Sequence, residues 1–80
     1  MTEHLYGKYR AWVVDNADPY QEGRLRVRID DVAHDDATWA VASWPPGQAA
    51  EEHHLPEIGT QVWVEFERGD VNHPVWDGVL

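Results

Sequence analysis

From Arg24 to Asp30 the chain alternates without a break, with Leu25, Val27 and Ile29 at every second position and Arg24, Arg26 and Arg28 between them. A period of two puts the aliphatic side chains on one face of an extended strand and the guanidinium groups on the other. A helix cannot use this pattern, because a 3.6-residue period would spread both kinds of residue around its circumference. The same alternation returns in three other stretches. Tyr9 to Asp15 sets Tyr9, Ala11 and Val13 against Arg10, Trp12 and Val14. Thr38 to Trp44 sets Trp39, Val41 and Ser43 against Ala40, Ala42 and Trp44, and Gln61 to Glu67 gathers Val62, Val64 and Phe66 on one face. A last run, Pro74 to Leu80, supplies Val75, Trp76 and Val79.

Turn chemistry separates these runs. Asp18-Pro19 sets a turn that Gly23 can close with a positive φ. His34 to Ala37 is a polar loop, and Pro45-Pro46-Gly47 stops the third strand because proline cannot donate to a ladder. Gln48 to Leu55 reads as an acidic loop with room for one helical turn. Pro56 to Thr60 turns the chain into the fourth strand, and Arg68-Gly69-Asp70 makes a hairpin-type connection. Five short strands with no amphipathic helix predict an all-β domain. Closing them into a barrel removes edges that so small a sheet cannot protect. A five-stranded OB-fold barrel fits. A small SH3-like barrel is the alternative, since counting strands does not separate the two.

Eighty residues allow a single domain, residues 1–80 with a core over about 6–79. A chain of this size buries only about 60% of its unfolded surface. It has no cysteine for a disulfide, so self-association is the expected supplement. Six basic against fifteen acidic residues leave a net charge of −9, which phosphate backbones and anionic membranes repel. No nucleic-acid specificity is expected. Membrane insertion is not expected either, since no apolar run approaches the roughly 18–20 residues of a membrane-spanning helix. Met1-Thr2-Glu3-His4 opens without the basic and apolar stretches of a secretory signal.

The residues that could carry chemistry give little for it. His53 and His54 are adjacent and would point to opposite faces of a strand. With His34, Asp35 and Asp36 they could hold an ion only if their loops converge, and no His-x-x-x-His spacing is present. Solvated histidines are expected, with no metal and no cofactor. Fifteen acids guarantee some close pair by abundance alone, so paired carboxylates say nothing about glycoside hydrolysis. Ser43 lacks the flanking glycines of a nucleophile elbow. No catalytic residue and no enzyme activity are expected. Arg24, Arg26 and Arg28 have two readings: a grip on an anionic partner, or cross-strand pairs with Glu65 and Glu67. Trp12 and Trp63 fall opposite the aliphatic faces of their strands, where a covering partner is favoured over core packing or stacking on a sugar. Trp12, Trp63 and Trp76 with the three arginines are the expected subunit or partner boundary.

Taken in order, the pieces form a longer pattern. Asp18-Pro19 and Gly23-Arg24 come first. Pro56-x-x-Gly59-Thr60 then leads into Val62, Val64 and Phe66, and Gly69-Asp70 is followed by Pro74-Val75 and Gly78. This pattern resembles the OB-fold domain shared by the central spike proteins of contractile phage tail baseplates and the VgrG proteins of type VI secretion systems. In that pattern Pro56 and Gly59 turn the chain, the inward aliphatics fill the barrel, Gly69-Asp70 reverses it, and Pro74 opens an edge strand.

The resemblance implies a docking module without catalysis. It implies a homotrimer at the end of the tail tube, between a baseplate hub protein and a needle or spike tip. The location implied is a virion tail baseplate, or alternatively a bacterial contractile injection apparatus. Relatives continue beyond the position of Val79-Leu80 into a lysozyme domain or needle, so the expectation is either a tip on a separate chain or an adaptor role for this short one. The reading from another class is a monomeric OB module that binds carbohydrate or oligonucleotide.

Overall fold

A computed structural model describes residues 5–29, 37–43 and 55–80. The strands are β1 (Tyr9–Asp15), β2 (Leu25–Ile29), β3 (Thr38–Ala42), β4 (Gln61–Phe66) and β5 (Pro74–Val79). Each begins and ends within two residues of the alternating run that predicts it. The expected helical turn in 48–55, the histidines at 34, 53 and 54, and Trp44 lie outside the described residues, apart from Leu55. Among the described residues no helix is long and apolar enough to cross a membrane.

The strands close into a barrel in the order β1-β2-β3-β5-β4, with β4 pairing back onto β1. Four of the pairings are antiparallel and β3–β5 is parallel. It follows that β1, β3 and β5 run one way along the barrel and β2 and β4 the other. The interior is the alternating aliphatic set: Ala11 and Val13, Leu25, Val27 and Ile29, Ala40, and Val62, Val64 and Phe66. Tyr9 meets Phe66 edge to face at 5.5 Å between ring centroids, a geometry that suits the ring quadrupoles.

Two bulges break the registers. On β1 the pairing with β2 slips between Val13 and Asp15, leaving Val14 as the extra, exposed residue. Between β4 and β5 the slip places Asp77 between Gly78, opposite Trp63, and Trp76, opposite Val64. Beyond Phe66, a short 3-10 turn over Glu67–Gly69 replaces the simple hairpin, with Arg68 held at φ 55.

Closure overturns one expectation. β5 lies between β3 and β4, so Pro74 does not open an edge strand. Its missing N–H is tolerated because it is the first residue of the strand, paired with Phe66.

Candidate assembly surface

The β1–β2 connection is organised by one carboxylate. Asp18 Oδ1 accepts from the Tyr20 N–H at 2.9 Å and from Arg24 Nε and Nη2 at 3.1 and 2.9 Å. Its Oδ2 accepts from the Glu22 and Arg24 N–H groups at 3.0 and 3.2 Å. Asp18 is only 8% exposed, and a buried charge stands only when paired and hydrogen-bonded in this way. The Arg24 fork holds the Asp18 carboxyl far below the ordinary carboxylate range, with the backbone donors adding to the effect against the cost of burial. The same contact pushes the Arg24 guanidinium above its ordinary value. Its face stacks over Tyr20 at 4.6 Å and Trp39 at 5.1 Å.

The expected pairing of the arginine stripe with Glu65 and Glu67 is therefore corrected. β2 pairs with β1 and β3 round the barrel and not with β4, so their outward faces are not adjacent. Arg24 turns to Asp18 instead, while Arg26 and Arg28 point outward from β2.

Trp76 is corrected as well. It is 6% exposed and belongs to the core, with its indole Nε1–H donating to the Gly23 carbonyl at 3.0 Å. Pro74 and Trp76 share the inward parity of β5, which a run bearing apolar residues on both faces does not reveal.

Trp12 and Trp63 do lie on the exterior, half-buried. Arg10 faces Trp63 across the β1–β4 ladder, and its guanidinium stands 5.5 Å over the ring. Trp12 faces Gln61 on one side and Arg28 on the other. Leu80 donates its N–H to the Gln61 carbonyl at 3.2 Å, which sets the exposed Leu80 beside this row. Gly59 donates to the Val13 carbonyl at 2.8 Å, so exposed Ile58 and Val14 close the upper end. The outer wall of β1 and β4 is thus aromatic and aliphatic, with Arg10 on its β1 side.

Where β1 begins, the same wall carries a grouping of Lys8, Glu65 and Asp77 that the sequence reading missed. Lys8 Nζ meets Asp77 Oδ2 at 3.3 Å, while Asp77 Oδ1 is buried with no hydrogen-bond partner. Glu65 touches Asp77, and that contact and its negative charge push the Glu65 carboxyl above the usual range, with partial desolvation adding to it. Lys8, itself 53% exposed, offsets part of their charge. A regular register hides such a pairing from any reading of alternation.

The residues of the Pro-x-x-Gly and Gly-Asp motifs serve the fold. Gly59 holds φ 93 at the turn into β4, a conformation that L side chains rarely adopt. Asp70 caps its own turn through Oδ1 and the Asn72 N–H at 2.9 Å. A hollow of about 80 Å³ between Trp39, Val41, Glu67, Asn72, His73 and Pro74 falls well below the ~300 Å³ at which ligand pockets begin. Among the described residues no three His, Asp or Glu side chains converge as metal ligands.

No curated protein matches the chain significantly. A family model does match, over residues 9–80: the type VI secretion system/phage-baseplate injector OB domain. That match decides between the two barrel types in favour of the OB fold, and the parallel β3–β5 closure agrees with it. The chain belongs to the type VI secretion system/phage-baseplate injector OB domain family, whose part in the machinery is structural and not catalytic.

Proposed function

We propose that the protein is the OB module of a central spike or hub. In this reading it forms a homotrimer that docks beneath the hub protein at the end of the tail tube. The site is a virion baseplate or the corresponding bacterial injection apparatus. The observation that carries the reading is the outer wall of β1 and β4, where Trp12, Trp63, Val14 and Leu80 lie at the surface of a barrel with a thin core. Indoles in such positions are the residues most enriched at the centres of protein contacts. An interface of ordinary size covers about 800 Å² on each partner.

The role is passive in this reading. The barrel supplies a rigid collar that transmits the thrust of the sheath and needs no reaction of its own. Arg26 and Arg28 border the wall from β2, while Arg24 supports it through the Asp18 loop.

Size-exclusion chromatography with light scattering tests the assembly. The expected mass at high micromolar concentration is that of three chains. A monomer, alone and with the hub protein present, overturns the reading. A monomer whose indole fluorescence is saturably quenched by oligosaccharide or single-stranded DNA replaces it with the ligand-binding alternative.

A further inference from the structure

Among the described residues, Asp77 Oδ1 is the one buried side-chain polar atom without a hydrogen-bond partner. A carboxylate oxygen shut away from bulk water carries a desolvation cost that only a donor offsets. The strands around it decide which donors can come. Asp77 shares the outward face of β5 with Val75, and Val75 stands opposite Glu65 on β4. The pairing of Tyr9 with Val64 puts Lys8, just ahead of β1, alongside Glu65 on its other side.

The charged groups facing this place are few. Lys8 Nζ goes to the second Asp77 oxygen, Oδ2, at 3.3 Å. Arg10, the next outward cation on β1, lies over Trp63. Glu67, beyond the end of β4, is exposed and brings only another negative charge. A metal ion would need further ligands, and among the described residues no three His, Asp or Glu side chains converge. The group left within hydrogen-bonding reach is the Glu65 carboxyl itself. As a carboxylate it has nothing to donate, and as an acid it has one O–H.

We propose that Glu65 and Asp77 hold a single proton between them, carried by Glu65 and directed at the Asp77 carboxylate. Lys8, Asp77 and Glu65 then form a pH-dependent clasp joining the approach to β1 with β4 and β5. An O–H donating to a carboxylate makes a short, charge-assisted bond, and two like charges in contact resist both being ionised. With the proton held, the cluster comprises an ammonium, a carboxylate and a neutral acid, and its net charge is zero. With the proton lost, two carboxylates face each other, Lys8 must serve both, and Asp77 Oδ1 is left without a donor. The raised value of the Glu65 carboxyl agrees with this. Its contact with Asp77 is the first cause and the charge of Asp77 the second, while Lys8 acts against them.

The direction of the pH effect follows. A carboxyl whose folded value is raised stabilises the fold below its ordinary value of 4.5. It loses that contribution as the pH rises through the folded value. This is opposite in sense to Asp18, whose value is lowered.

The clasp lies within one chain and needs no self-association, so a single dilute concentration suffices to test it apart from the trimer. Site-resolved NMR of the side-chain carboxyl carbons reads it directly. Glu65 is expected to titrate above its ordinary value in the unaltered chain and to fall back to that value in Asp77→Asn. Glu65→Gln supplies a permanent amide donor of nearly the same shape. Its urea midpoint is expected to exceed that of the unaltered chain at about pH 8, with the excess shrinking as the pH falls toward the ordinary carboxylate range. Glu67→Gln, as a control, shows no such pH-dependent excess. The clasp is overturned by a Glu65 that titrates at its ordinary value, or by a raised value that survives Asp77→Asn. A Glu65→Gln difference that is the same at both ends of the pH range overturns it too. Should Asp77→Asn fail to fold, the Glu65 titration and the Glu65→Gln comparison decide by themselves.

Discussion

At the scale of a residue, Asp18 carries more than any other polar group in the described chain. Its oxygens hold the whole β1–β2 connection to Arg24 and three backbone N–H groups. Asp18→Ala leaves those donors unanswered in a buried place and is expected to cost about 3 kcal/mol or more. The midpoint of urea unfolding measures it. The pH dependence has a definite sign. The folded carboxyl sits below its ordinary value, so its stabilisation is complete above about pH 4 and drains away as the pH falls further. The variant should lack that acid limb, and an unchanged slope of stability against pH below about 4 would refute the assignment. Glu65 works in reverse. Its value is raised by Asp77, so in the isolated chain the pair becomes more adverse as the pH rises through that value. The Asp-Pro…Gly-Arg spelling of this loop was visible as turn chemistry, but the partner of Arg24 was not. Alternation assigns a side chain to a face and says nothing about a bond that reaches back six residues.

At the scale of the element, the strands were legible almost in full, because period-two alternation is a local property that burial enforces directly. β1 matches its expected run from Tyr9 to Asp15, and the other strands differ from theirs by one or two residues at the ends. What stayed hidden was long-range. The bulges at Val14 and Asp77 depend on how two strands meet. The separation of β2 from β4 depends on the order of all five, and the inward turn of Trp76 depends on which face of β5 closes the barrel. Two glycines show how the local rule can be tested. Gly59 at φ 93 has open space around it, so Gly59→Ala meets no clash and suffers only the backbone penalty. That is expected to be about 1–2 kcal/mol. Gly78, with equal space and no positive φ, should accept alanine at no cost or with a slight gain in the isolated chain. Paired thermal melts at one dilute concentration separate the two, and equal losses would show that the strain at Gly59 is not real.

At the scale of the whole molecule, the proposed trimer would stabilise a small barrel without disulfides by covering its outer wall. Binding between copies is linked to folding by mass action. The melting temperature of the unaltered protein is therefore expected to climb with protein concentration across the range in which the trimer forms. Melting that is independent of concentration would mean that association contributes nothing to the fold.

The common direction of β1 and β5 has a mechanical outcome. A segment joined ahead of Tyr9 enters at one mouth of the cylinder, and a segment joined after Leu80 departs from the other. Pull or push applied along that line runs lengthwise through the staves, so many rungs share the load together and none is peeled in turn. A hinge would waste a stroke that such a rod passes on.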